Sequence, residues 1–225
     1  MEYQIIGSSF PAVSCRLQDG EAMITESGSM IWMSPNMEMT TQGGGLGKMF
    51  SRAFSGENMF QNIYTAHGQG LITFGSKFPG RILELTIQPG RDIILQKTAF
   101  LASEAGVTLS THFNKKIGVG FFGGEGFIMQ RLSGFGVAFA EVAGDLMEYN
   151  LDPGRQLVVG SGNLVGFEPT VQMDIRQVPG LKNKFFGGEG FFNTVLTGPG
   201  KVWLQTTSIA GIASAIIPYI PQNNN

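Results

Sequence analysis

The sequence predicts an all-β protein of three tandem pseudo-repeats, folded as antiparallel β-sandwich or double-stranded β-helix units with two short helical additions. Three observations predict it. Glycine supplies 33 of 225 residues while charged residues make up 14%, a composition suited to many strands joined by tight turns. Apolar and polar residues alternate, or nearly alternate, in Met37 to Thr40, Arg81 to Ile87, Val171 to Arg176 and Val202 to Gln205, the period of half-buried strands. The string Phe121-Phe122-Gly123-Gly124-Glu125-Gly126-Phe127 returns as Phe185-Phe186-Gly187-Gly188-Glu189-Gly190-Phe191, with a worn copy over Phe54-Ser55-Gly56-Glu57-Asn58-Met59-Phe60.

The offset that carries Glu125 onto Glu189 also carries Pro89-Gly90-Arg91 onto Pro153-Gly154-Arg155. Two motifs in one register define a repeat. The N-terminal third fits the same template with larger gaps, Asp19-Gly20-Glu21 standing at the Pro-Gly-Arg turn and Met37 to Thr40 at Val107 to Ser110. The units are therefore drawn as 1–87, 88–151 and 152–207, with a tail over 208–225. Each is too small to bury its own apolar face, so the three are expected to share one compact domain.

In chain order, Met1 to Gly7 lacks the basic start and long apolar core of a signal peptide, and no apolar run approaches the roughly 20 residues that span a bilayer. The location expected is cytoplasmic or peripheral to a membrane. Cys15 is the single cysteine; it excludes an intrachain disulfide framework and, with no base beside it, reads as a core thiol. After the strand pattern of Met37 to Thr40 comes an insertion confined to the first unit, 43–54, in which a glycine run precedes a short amphipathic helix. Leu46, Met49, Phe50 and Phe54 take helical spacing there, with Lys48 and Arg52 on another face. Strand pattern resumes at Phe60 to Ala66. Turn signals at Pro79-Gly80, Pro89-Gly90, Pro153-Gly154, Pro179-Gly180 and Pro199-Gly200 separate the remaining strands. The tail from Ser208 to Pro221 predicts a helix capped by Ser208 and ended by Pro218.

The repeated Gly-Gly-Glu-Gly admits two readings. Glycine-rich loops cradle phosphates, but here each copy carries a glutamate, lacks Lys-Ser/Thr and runs into strand pattern instead of a helix. A structural corner accounts for the glycines more simply. Glu57, Glu125 and Glu189 would form a carboxylate cluster or metal site if the units meet on a pseudo-threefold axis, or would accept backbone N–H bonds in their own turns. His67 and His112 occupy non-equivalent places without metal-ligand spacing. No serine sits in a nucleophile elbow. Trp32 and Trp203 fall within strand patterns and are expected in the core. A net charge of −2 with scattered basic residues disfavours nucleic acid as a partner.

Nearly the whole chain resembles the bacterial and archaeal relatives of the mitochondrial-biogenesis family called altered inheritance of mitochondria, protein twenty-four. The repeated Phe-Phe-Gly-Gly-Glu-Gly-Phe, the Pro-Gly-Arg turns, the Gly43 to Phe54 insertion and the closing Ile216-Ile217-Pro218-Tyr219-Ile220-Pro221 carry the resemblance. It implies units each similar to a subunit of the tryptophan-RNA-binding attenuation protein, and assembly into homo-oligomers, for which a trimer is favoured. The function expected is a non-enzymatic scaffold or interaction protein without catalytic residues, metal or cofactor, binding a protein partner or membrane surface through Leu46, Lys48, Met49, Phe50, Arg52 and Phe54. The alternatives are a small-molecule pocket between repeats and, by fold analogy only, RNA binding.

Overall fold

The computed structural model describes residues 1–26, 28–42, 61–115, 126–177 and 192–220. Strand β1 (Glu2–Ile6) precedes a first set, β2 (Ala12–Leu17), β3 (Ala22–Glu26), β4 (Met30–Met33), β5 (Met37–Gln42), β6 (Gln61–Ala66) and β7 (Gly70–Gly75). The second set is β8 (Gly80–Ile87), β9 (Ile93–Gln96), β10 (Phe100–Glu104), β11 (Val107–Lys115), β12 (Phe127–Gly134) and β13 (Gly136–Ala143). The third is β14 (Leu146–Leu151), β15 (Gln156–Gly160), β16 (Leu164–Phe167), β17 (Gln172–Gln177), β18 (Phe192–Thr197) and β19 (Gly200–Gln205). All named pairings are antiparallel, so the all-β expectation holds.

One pairing rule recurs in every set. The fifth strand lies between the fourth and second, and the sixth pairs with the first and third. Each set thus supplies two half-sheets. Sets then join edge to edge: β3 pairs with β10, and β9 with β16. The result is two six-stranded sheets, β5-β6-β3-β10-β13-β8 and β11-β12-β9-β16-β19-β14, beside an outer β1-β2-β7-β4 and an outer β15-β18-β17.

Grouping strands by pairing places the start of a set one strand earlier than the units drawn from sequence. A repeat offset fixes the length of the unit but not its phase. The Pro-Gly turns chosen as landmarks lie between the first two strands of a set. Gly20, Gly90 and Gly154 occupy that turn with φ of 77°, 81° and 76°, a conformation that disfavours a Cβ. A β-bulge likewise recurs in the third strand, between Met30 and Trp32, Phe100 and Ala102, Leu164 and Gly166, and bends it at the same place each time.

Three apolar clusters follow from the alternation. The first contains Val13, Cys15, Met23, Tyr64 and Phe74 of the first set, but also Ile82, Leu101 and Phe139 of the second. The central one combines Leu85, Ile93 and Leu132 with Val165 and Trp203 of the third set. The last joins Ile94 and Met129 to Phe167, Leu196 and Val202. The first two cores are therefore closed by residues of the next set. Strand β1 adds Tyr3, whose ring meets Phe139 edge-on with centroids 5.0 Å apart.

The tail helix α1 (Ile209–Ile216) starts where expected, with Ser208 Oγ accepting from the Gly211 amide at 3.0 Å. Pro218 falls just past it, in a 3-10 turn over Ile217–Tyr219. The inserted helix expected over 43–54 lies outside the described residues.

Ser103, on β10 at the first junction, is fully buried and its Oγ has no hydrogen-bond partner among the described residues. A buried unsatisfied hydroxyl costs on the order of 1–3 kcal/mol. Ser103→Ala is expected to raise the melting temperature by roughly 2–4 °C, read by calorimetry; an unchanged or lower value would contradict the assignment.

Candidate interaction surfaces

Most residues singled out from the sequence, namely Leu46, Lys48, Met49, Phe50, Arg52, Phe54, Gly56, Glu57, Gly123, Gly124, Glu125, Gly187, Gly188, Glu189 and Gly190, lie outside the described residues. Gly126 is described: it is buried at the entry to β12 with φ 88°.

Several of the carboxylates that the fold does place are engaged by the backbone. Glu104 Oε2 accepts the Val137 amide at 2.7 Å, and at the equivalent place in the next set Glu168 Oε2 accepts the Lys201 amide at 2.8 Å. In the first set Ser34 Oγ takes the same part, accepting the Leu71 amide at 2.9 Å. These groups close the start of the sixth strand in each set. A second repeated contact ties each set to the one before it. Glu141 Oε2 accepts from the Lys77 amide at 2.9 Å and from Ser76 Oγ at 3.2 Å, while Gln205 Oε1 accepts the Ala143 amide at 2.9 Å and its Nε2 donates to the Gly162 carbonyl at 2.9 Å. Gly75 is the equivalent residue in the first set, paired with Ala12 as Glu141 is with Ile82. A shallow hollow between sets, lined among others by Phe78, Glu141, Gln205 and Ile209, therefore has its main polar groups committed to structure.

His67 Nε2 lies 2.7 Å from Glu38 Oε2 on the surface, a partner distant in sequence. His112 keeps an exposed side chain on β11, yet partial desolvation by its neighbours, followed by the charge of Arg131, holds its pKa below the usual value. Among the described residues no three His, Cys, Asp or Glu gather as a metal site. Cys15 is fully buried, and desolvation, with a smaller contribution from Glu104, pushes its pKa up to about 12. Arg91 and Arg155 are exposed at their turns. Trp203 is buried, but Trp32 is 50% exposed, so the core expectation is corrected for Trp32: its strand stands at the end of a sheet.

Exposed apolar side chains concentrate in two places. The first is the outermost strand β4, with Ile31, Trp32 and Met33; Val158 is exposed by itself on β15, the end strand of a different sheet. The second is the tail. Helix α1 buries no residue, and Ile216, Ile217, Tyr219 and Ile220 all lie exposed in a stretch without a charged side chain. Sequence reading marked the tail through its composition; β4 gave no such signal, because an apolar strand looks the same at a sheet end as in its middle.

A family model described as Mitochondrial biogenesis AIM24 matches residues 3–207. An uncharacterised protein of Streptococcus pyogenes serotype M6 is 27% identical over 96% of this chain and 89% of its own length. The crystal structure of a Streptococcus pyogenes protein superposes with a TM-score of 0.82 at 24% identity, covering 97% of this chain and 99% of the other. At that identity the superposition speaks for the fold.

Two outcomes are expected from the contacts above. Glu141→Ala leaves the Lys77 amide without its acceptor and is expected to destabilise the fold by about 1–3 kcal/mol, whereas Glu141→Gln is expected to cost less, since Gln205 accepts the equivalent amide through a carboxamide oxygen; equal losses in urea titrations would refute the clamp. Native protein at pH 8 is expected to leave a thiol reagent unreacted, with one equivalent of thiol released on denaturation.

Proposed function

The chain belongs to the mitochondrial biogenesis family AIM24, and from that premise we propose that it is a non-enzymatic interaction scaffold that rests on a membrane surface through its uncharged tail. The observation that carries this reading is the tail itself. An eight-residue helix with no buried residue, followed by Ile217, Tyr219 and Ile220 in the open, contributes no side chain to the cores of the fold. Apolar residues with a tyrosine among them suit the headgroup boundary, where the ring is apolar and the hydroxyl stays wet. No helix among the described residues is long and apolar enough to cross a membrane, so an attachment of this kind lies in the interface plane.

Support for a scaffold over an enzyme comes from Glu104, Glu141 and Glu168, which take up backbone amides at repeated positions and so serve the fold. The apolar and basic residues of 43–54, Leu46, Lys48, Met49, Phe50, Arg52 and Phe54, are proposed as a second contact on the strength of their spacing. A single short anchor binds a bilayer weakly and reversibly; several on one assembly bind in concert.

Co-sedimentation with anionic liposomes tests the reading. Wild type is expected to pellet with the vesicles, and the triple change Ile216→Ser, Ile217→Ser and Tyr219→Ser to lower the bound fraction several-fold. Loss on changing Met49, Phe50 and Phe54 to serine would bring the insertion in as a second anchor. Absent wild-type binding, or binding indifferent to the tail changes, would overturn the membrane reading, and tail-dependent capture by a protein instead of lipid would do the same.

A further inference from the structure

The two internal junctions use the same strand types at matching positions. Ser103 on β10 pairs with Ile24 on β3, and Phe167 on β16 pairs with Ile94 on β9. Ser103 and Phe167 are one repeat apart, and both follow the recurrent bulge of their strand. Ile24 and Ile94 lie equally far beyond the turn glycines Gly20 and Gly90. The repeat also extends to strands that have no such neighbour among the described residues. Met33 on β4 follows the bulge as Ser103 and Phe167 do, and Val158 on β15 stands to Gly154 as Ile94 stands to Gly90. Strand β4 ends the four-stranded sheet and β15 ends the three-stranded sheet.

Burial separates the used junctions from the open pair. Ile24 is 8% and Ile94 0% exposed, against 61% for Val158. Ser103 is 0% and Phe167 1% exposed, against 37% for Met33. The bulge residue adds a second contrast. Leu101 enters the core of the first set and Val165 that of the second, whereas Ile31, at the same place in β4, is 49% exposed. Among the described residues the core of the third set receives no bulge residue from another set, and Leu157, Met173 and Ile175 remain only partly buried at its margin.

We propose that two copies of this chain join head to tail, β15 of one copy adding antiparallel to β4 of the next with Met33 opposite Val158 and Ser34 opposite Leu157, while Ile31 enters the neighbour's third core. The occupant is a second copy because the internal junctions specify both partners: each end strand meets, on the other end of the same molecule, the strand type that it pairs with inside the chain. Free strand edges carrying apolar side chains are templates for such addition. The two outer sheets would merge into one of seven strands, β1-β2-β7-β4 continuing into β15-β18-β17 of the neighbour.

Two details limit the copy. Trp32 stands where the other sets have Ala102 and Gly166, and a Cβ at Gly166 would lie 2.6 Å from the Ile94 carbonyl oxygen. The pairing that Gly166 makes with Leu95 therefore has no room for Trp32. The register of β10 with β3 does fit, leaving Trp32 beyond the last pair as Ala102 is. Gly75 also replaces the clamping Glu141 and Gln205, so the contact between copies is held by strand pairing and apolar packing and dissociates more readily than the internal junctions. The contact is heterologous, with different surfaces on the two copies; it closes into a ring or continues as a filament according to the rotation per copy.

Cross-linking distinguishes this geometry from any other. Directly opposed residues of antiparallel strands have Cα atoms about 4.5–5.5 Å apart, within disulfide range, and the native Cys15 is fully buried. Met33→Cys and Val158→Cys, prepared separately and mixed under mild oxidation, are expected to give a covalent dimer containing both, while each alone gives little. Met33→Lys or Ile31→Lys is expected to shift wild-type assemblies to monomer in light scattering, with an unchanged thermal melt showing that the fold survives. A monomeric wild type at tens of micromolar, no mixed disulfide between folded variants, or equally efficient cross-linking within a single variant would each overturn the proposal. The liposome experiment on the tail stands or falls separately, since Met33 and Val158 lie outside it.

Discussion

Everything in this molecule rests on pairing between the second strand of one set and the third strand of the next. The stretch of ladder involved is short, two residue pairs at each junction, and ladder hydrogen bonds alone would add little. Its weight comes from what the pairing delivers. Once β10 lies on β3, Leu101 is carried into the first core, and Thr25 Oγ1 donates to the Leu101 carbonyl at 2.6 Å in a buried site. The same arrangement brings Val165 and Trp203 into the second core. A set without its successor would leave that apolar surface in water, at about 25 cal/mol for each Å², so the sets fold as parts of one body and not as beads.

The polar side chains follow from that constraint. The third strand's pairing stops at Met33↔Ile72, Ser103↔Ala138 and Phe167↔Val202, one residue before the amides of Leu71, Val137 and Lys201; Ser34, Glu104 and Glu168 accept those. Where one set ends and the next begins, Glu141 and Gln205 accept the amides of Lys77 and Ala143 in part-buried bonds. Leaving a buried donor unpaired costs more than a satisfied bond gains, which explains why carboxyl and carboxamide groups are assigned to backbone contacts in a chain with few charges. Among the described residues Glu104, Glu141, Glu168 and Gln205 thus act as fasteners of the fold.

A linear series of junctions must end, and each end exposes what the middle buries. That links the energetics of the fold to the reading of its function. The apolar side chains of β4 and β15 lie at opposite ends of the series, and the uncharged tail follows the last strand of the third set. Assembly through the ends would set several tails on one particle, which is how weak interfacial anchors gain useful affinity.

Much of the fold was legible in the chain. Strand alternation at Arg81 to Ile87 and Val202 to Gln205, the Pro-Gly and Asp-Gly turns, the constant repeat offset and the Ser208 cap all report local requirements: which face is buried, where φ must be positive, which amide needs a side-chain acceptor. Local requirements of this kind were enough for the all-β class, the repeat and the helical tail. They could not phase the repeat or place Trp32. They also pointed to the Gly-Gly-Glu-Gly glutamates while the recurring acceptors Glu104 and Glu168 went unnoticed, since serine takes their part in the first set. Which edges pair, which core receives Leu101 or Val165, and which strands are left at the ends became visible in three dimensions alone. A strand's side-chain period encodes its faces, whereas its neighbours lie along the backbone edge, where every sequence offers the same N–H and C=O groups.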